Sequence, residues 1–143
     1  MTEGIFLFAG QGSQFKGMAE YICKRFPVAR SVIDEMSAVA GENIASFLWE
    51  TEPSELARSD RSQLAITAME AAVLAVLQEH GIAPAAVAGF SLGEFAALFA
   101  AKVLDLKTMT ELVTLRGKIM QKWCEKLQEL GTASKGAPGM AAV

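Results

Sequence analysis

Apolar residues fall into two rhythms along this chain. Residues 5–9 and 85–89 are short, unbroken, small or apolar runs, the length and composition of strands buried in a parallel sheet. Elsewhere apolar positions recur every three or four residues, the period of a helix that buries one face. Met18, Ile22 and Phe26 predict a helix over residues 14–26. Pro27 opens another, through Val32, Met36 and Val39 to a stop near Gly41. Residues 43–49 suit a short helix with Ile44, Phe47 and Leu48 on its apolar side. Residues 51–61 are polar, carry Pro53 and read as a connection. A long helix starts at Ser62-Gln63-Leu64 and runs through Ile66, Met69, Val73, Val76 and Leu77, with Gly81 as its stop and Pro84 just beyond. After the second strand run, Leu92-Gly93-Glu94-Phe95-Ala96-Ala97-Leu98 reads as a helix closed by Asp105-Leu106-Lys107. Thr108-Met109-Thr110-Glu111 has the form of a capping box. It opens a last helix through Leu112, Leu115, Ile119, Met120, Trp123 and Leu127. The pattern predicts an α/β fold, parallel strands with covering helices.

Composition agrees with that class. The chain has 143 residues, 52% of them hydrophobic and 20% charged, which suits one domain with helices over a buried sheet. The net charge of -3 and the lack of a basic cluster with interleaved aromatics argue against a nucleic-acid partner. No uncharged run reaches membrane-spanning length, so no membrane partner is expected. The opening apolar run is too short for a signal peptide and lacks a basic flank. Cys23 and Cys124 are far apart with no C-x-x-C, so neither a disulfide framework nor a metal site is expected, and the cytoplasm is the expected compartment.

Candidate chemistry centres on Gly89-Phe90-Ser91-Leu92-Gly93, a G-x-S-x-G pattern between the second strand and its helix. Such a sharp turn holds a serine in a strained conformation with its hydroxyl exposed at the end of the sheet. There it faces the free N–H groups and positive dipole end of the helix, which favour a developing oxyanion. Ser91 therefore reads either as a nucleophile or as a plain helix cap. Gly10-Gln11-Gly12 follows the first strand, but Phe15 and Met18 stand where phosphate-binding patterns need glycine and lysine. A tight loop beside the Ser91 turn fits better, with the Leu92 and Gln11 N–H groups as the two oxyanion donors. Gln11 as a turn residue serving local backbone is the alternative.

Arg116 lies three, four and seven positions from Leu112, Ile119, Met120 and Trp123, so it shares an apolar face. A charge there needs a partner. Glu94 or Asp105 would make it structural; a ligand carboxylate gripped by the guanidinium fork would make it functional. The only histidine, His80, ends the long helix at the far end of the strand that leads to Ser91. At ~3.3 Å per residue it lies roughly 15 Å or more from that serine, too far to be its base.

Three motifs occur in order: Phe8-Ala9-Gly10-Gln11-Gly12-Ser13-Gln14, Gly89-Phe90-Ser91-Leu92-Gly93-Glu94, and Leu115-Arg116-Gly117-Lys118-Ile119-Met120-Gln121. Together they resemble the malonyl-CoA:acyl carrier protein transacylases of fatty acid synthesis and the related acyltransferases of polyketide synthases. The resemblance implies a partial α/β-hydrolase-like core, the N-terminal part of the large acyltransferase subdomain over residues 1–143. It implies that Ser91 carries a malonyl ester from coenzyme A, the thioester being a substrate with no cofactor, to the phosphopantetheine thiol of acyl carrier protein. Gln11 and Leu92 would form the oxyanion hole, Arg116 would hold the malonyl carboxylate, and Gln63 and Phe90 would line the site. The family usually has histidine where Phe90 stands, proline where Ala9 stands, and Gln-Pro-Ala-Leu where this chain has Gln63-Leu64-Ala65-Ile66. Its catalytic histidine and its small ferredoxin-like subdomain lie in a later region.

Residues 131–139, rich in Gly, Ala, Ser and Pro, read as a flexible loop, and Met140-Ala141-Ala142-Val143 resembles the start of another strand. A fragment of a longer protein is the expectation. Two other functions stay open: a truncated, non-catalytic module that binds acyl-CoA or a carrier protein, and a serine acyl hydrolase with the same turn.

Overall fold

The computed structural model describes residues 4–129, so the loop and strand start expected after residue 130 lie outside the described residues. Strand β1 (Gly4–Phe8) pairs in parallel with β2 (Pro84–Gly89), matching Phe6 to Val87 and Phe8 to Gly89. Parallel neighbours need a crossover. Here it consists of α1 (Glu20–Arg25), α2 (Pro27–Ala40), α3 (Ile44–Glu50), α4 (Pro53–Leu56) and α5 (Ser59–Glu79). After β2 come α6 (Gly93–Ala100) and α7 (Leu106–Glu129). The result is helix-rich with a small parallel sheet, two-stranded among the described residues.

Local sequence accounts for most element ends. Pro27 stands at the first turn of α2, where its missing N–H costs nothing. The Asn43 side chain accepts the Ser46 N–H at 3.1 Å and caps α3, which buries Ile44, Phe47 and Leu48 as its spacing predicts. Four expectations need correction. The helix over residues 14–26 shrinks to α1, because Gly17 and Ala19 take left-handed backbone at φ 85° and 64°. The connection over residues 51–61 holds α4 and the first turn of α5. The helix after Ser91 ends at Ala100, and Asp105 instead caps the next one by accepting the Thr108 N–H at 2.7 Å. That bond holds the Asp105 carboxyl below its usual range. Glu111, expected to reach back in a capping box, lies near Lys107 at 3.9 Å.

The main core lies among α2, α5 and α7. Ala29, Ile33 and Met36 of α2 meet Leu64, Ala65, Ile66 and Ala68 of α5. A second cluster joins Phe8 of β1 and Leu74 of α5 to Ala96, Ala97 and Ala100 of α6. The face of β1 turned toward α5 is left as a cavity of about 420 Å³, lined by Phe6, Phe8, Ile66, Met69, Glu70 and Leu74 among others.

Helix α7 presents the opposite face from the one its apolar spacing predicts. Met109, Thr110, Val113 and Gly117 are buried, while Leu115 and Trp123 are 58% and 56% exposed. The reason is Gly117. A Cβ at this position would lie 2.8 Å from the Ser59 carbonyl oxygen, so only glycine lets α7 cross the start of α5 this closely. Among the described residues no helix is long and apolar enough to cross a membrane.

Gly117→Ala sets a gain in helix propensity of about 1 kcal/mol against a clash with backbone. The clash is expected to win, lowering stability by about 1–3 kcal/mol. Chemical denaturation of variant and parent checks this.

Candidate active site

The chain turns from β2 into α6 over three residues, Phe90, Ser91 and Leu92. Gly93 N–H donates to the Phe90 carbonyl at 2.9 Å, and Ser91 takes left-handed backbone at φ 53°. That conformation costs a non-glycine residue about 1–3 kcal/mol and persists only where its surroundings impose it. They do so here. A Cβ on Gly89 would overlap the Gly93 carbonyl, and one on Gly93 would overlap the Phe8 carbonyl. Leu92 is fully buried and anchors the turn, while Ser91 is exposed. Phe90, at 68% exposure, stands beside the serine.

The loop after β1 is pressed against this turn. A Cβ on Gly10 would lie 2.7 Å from the Phe90 ring and 2.8 Å from its carbonyl oxygen. The loop also ties itself down: Ser13 Oγ donates to the Gly10 carbonyl at 3.0 Å, and Gly12 N–H donates to Gln14 Oε1 at 2.9 Å. The Gln11 side chain points into the protein and donates to Ser59 Oγ at 3.2 Å. Its own oxygen receives the Gln63 amide at 3.5 Å, a long contact.

Gln63 is fully buried on α5 and links the two halves of the site. Its Oε1 accepts from Arg116 Nη1 at 2.8 Å, and its Nε2 lies 3.1 Å from Met120 Sδ. The Arg116 guanidinium also sits 5.9 Å from the centre of the Phe95 ring. Phe95 is four positions after Ser91, in the first turn of α6. Of the partners left open for Arg116, neither Glu94 nor Asp105 pairs with it. Asp105 is spent on capping α7, and Glu94 is exposed on α6. Among the described residues Arg116 makes no ion pair. Its contacts with Gln63 and Phe95 are to neutral groups, which leave its charge unneutralised.

The structure therefore brings Gln11, Gln63 and Arg116 into one network and packs the Gln11 loop against the Ser91–Leu92 turn. His80 stays apart. It ends α5, its Nδ1 lies 2.8 Å from the Val76 carbonyl oxygen, and its ring stands edge-on to Phe26. Strand β2 separates it from Ser91. Among the described residues no cluster of three His, Cys, Asp or Glu could hold a metal ion.

Sequence reasoning passed over Glu70. The signal was available: it is the only charged residue between Gln63 and Gln78. Its Oε1 accepts the Ala9 N–H at 2.6 Å, and its Oε2 is buried with no hydrogen-bond partner among the described residues. Burial pushes its carboxyl up to about 7 against the opposing pull of the Ala9 bond. Ser59 was passed over too, and Gln121 was named only as the end of the third motif. The Ser59 N–H donates to Gln121 Oε1 at 3.0 Å and fastens the start of α5 to α7.

Comparison with known proteins bears on this arrangement. Residues 5–135 match the acyl transferase domain family. The chain is 37% identical over 123 residues to the malonyl CoA-acyl carrier protein transacylase of Escherichia coli O157:H7, covering 85% of this chain and 40% of that protein. It is 38% identical over 128 residues to the non-reducing polyketide synthase PKS16 of Cladonia grayi, covering 86% of this chain and 6% of that protein. Its fold is similar to a malonyl-transacylase solved in complex with its type II polyketide synthase acyl-carrier protein, AntF. That match has a TM-score of 0.80 and 39% identity, covering 85% of this chain and 40% of the other. The chain thus spans about two fifths of the transacylases it matches.

An acid whose folded value is raised favours the native state while protonated. That contribution is complete below the ordinary value of 4.5 and is lost as pH rises through about 7. The thermal midpoint is expected to fall across that window, and Glu70→Gln is expected to flatten the fall. Thermal unfolding followed by circular dichroism over a pH series checks both.

Proposed function

The chain belongs to the acyl transferase domain family, and on that footing we propose that it is the nucleophile-bearing part of a malonyl-CoA:acyl carrier protein transacylase. Its small sheet and helices then form part of an α/β-hydrolase-like core, and residues 1–143 the N-terminal part of the large subdomain. The observation that carries the reading is a strained, exposed serine at the entry to α6, whose Phe95 ring lies against an arginine that has no carboxylate partner among the described residues.

In the proposed reaction Ser91 Oγ attacks the thioester carbon of malonyl-CoA. The Leu92 and Gln11 N–H groups hold the oxyanion; among the described residues no acceptor takes the Leu92 N–H. Arg116 grips the malonyl carboxylate. Its bond to Gln63 and its place over Phe95 hold the guanidinium in position before substrate arrives. The coenzyme A thiolate leaves with the serine proton, and malonyl-Ser91 remains. The phosphopantetheine thiol of acyl carrier protein then attacks that ester, releases Ser91 Oγ and takes the malonyl group.

The base that moves these protons is assigned, by resemblance to the family, to a histidine of the longer protein. His80 is committed to the end of α5. The thioester is the substrate and no cofactor is required. Cytoplasmic residence agrees with two free cysteines, Cys23 and Cys124. A hydrolase has no need of a carboxylate clamp, so Arg116 favours transfer of an acidic acyl group over simple ester hydrolysis.

In the full-length protein, Ser91→Ala is expected to abolish the malonyl adduct seen by intact mass after exposure to malonyl-CoA. An adduct that persisted in the variant would sink the assignment of the nucleophile. Arg116→Ala is expected to cost malonyl transfer roughly 10- to 100-fold, the worth of a charge-assisted pair, and acetyl transfer far less. Equal losses for the two acyl groups in steady-state kinetics would make Arg116 structural.

A further inference from the structure

Helix α5 holds the Gln11 loop at its start, where Ser59 Oγ accepts from the Gln11 side chain, and at two points further along. Gln63 meets the Gln11 side chain, and Glu70 takes the Ala9 N–H. Seven residues, two helical turns, separate them, so both project from one face of α5. Apart from Glu70 and Ser13, the side chains that line the cavity between α5 and β1 are all apolar. A carboxyl group costs solvation there and is matched by a single contact. At 2.6 Å that contact is short, as a charge-assisted bond is.

Its position in the chain is informative. The β1–β2 ladder ends with Phe8 opposite Gly89, and Phe90 N–H takes the Phe8 carbonyl at 3.0 Å. Ala9 is the first residue past the ladder, where no strand among the described residues offers its N–H an acceptor. Glu70 supplies one. Two residues later stands Gln11, whose backbone N–H must point at the substrate if it is an oxyanion donor. The Ser13 and Gly12 bonds stabilise the loop's own shape. The Glu70 bond fixes where that shape sits relative to the helices.

We propose that Glu70 is a positioning residue, whose grip on the Ala9 N–H sets the place and direction of the Gln11 N–H for the transition state. The inference rests on the oxyanion role proposed for Gln11. An oxyanion forms only in the transition state, so a displaced donor lowers kcat and leaves KM nearly unchanged.

The test uses the full-length protein with Glu70→Ala, Glu70→Gln and Glu70→Leu. Leucine fills the space without an acceptor and serves if the alanine variant does not fold. Alanine or leucine is expected to lower kcat for malonyl transfer roughly tenfold, less than removal of a donor outright, with KM within about twofold. Glutamine keeps an acceptor for Ala9 and is expected to restore most of the loss. Amide hydrogen exchange at Ala9 and Gln11 is expected to speed up in the alanine and leucine variants and not in the glutamine variant. Unchanged exchange at Ala9 with unchanged kcat overturns the proposal and leaves the transacylase reading intact. A loss shared by KM and kcat that glutamine does not restore also overturns it. If the parent protein forms no malonyl-Ser91, the functional reading falls, and exchange at Ala9 alone decides whether Glu70 holds the loop.

Discussion

The close approach of strand β2 to helix α6 governs the rest of the site. Gly89 and Gly93 lie where any side chain would strike backbone, and Gly93 rests on the carbonyl ends of β1. Strand, neighbouring strand and helix therefore meet at one point. The chain must turn there within three residues, which forces Ser91 into left-handed backbone. Burial of Leu92 beneath the turn offsets part of that strain. The same crowding presses Gly10 on Phe90 and brings the second loop alongside.

Around that point the protein arranges positive potential. The start of α6 carries a Leu92 N–H with no acceptor among the described residues, and the Arg116 guanidinium lies against Phe95 in the first turn of the same helix. Neutral groups hold them: Gln63 for the arginine, Phe95 beneath it. A neutral partner orients a cation and leaves its charge unspent. An ion pair with Glu94 or Asp105 would have neutralised it. The proposed substrate carries one negative charge on its carboxylate and gains another on its thioester oxygen, which is the charge pattern that such a site accommodates.

Helix α5 connects fold and site. Its start is bound to α7 through Ser59 and Gln121, its first turns carry Gln63, and Glu70 reaches the end of β1. Polar side chains on a mostly buried helix lose hydration, so each persists with a partner or at a cost. Their partners here are the loop and the arginine of the site. Packing and proposed chemistry thus rest on the same residues, and Arg116 stands next to Gly117, where α7 crosses α5 most closely.

Much of this was readable without coordinates. Both strands, the turn at Ser91, the Asn43–Trp49 helix and the isolation of His80 follow from residues near one another in the chain. Turn geometry, caps and strand runs are decided by neighbouring backbone, so local pattern suffices. The late start of α1 and the cap at Asp105 were less legible, because several residues competed for each boundary. What only the tertiary structure decided is longer in range. The apolar spacing of α7 marked a face for burial, and Gly117 turned the other face inward because only it allows the close crossing of α5. Arg116 found an amide 53 positions away instead of the nearby carboxylates. Glu70 met a backbone N–H 61 positions away. Composition and spacing determined which residues needed partners; which partner each received depended on how the helices packed, and that is set by contacts that periodicity does not encode.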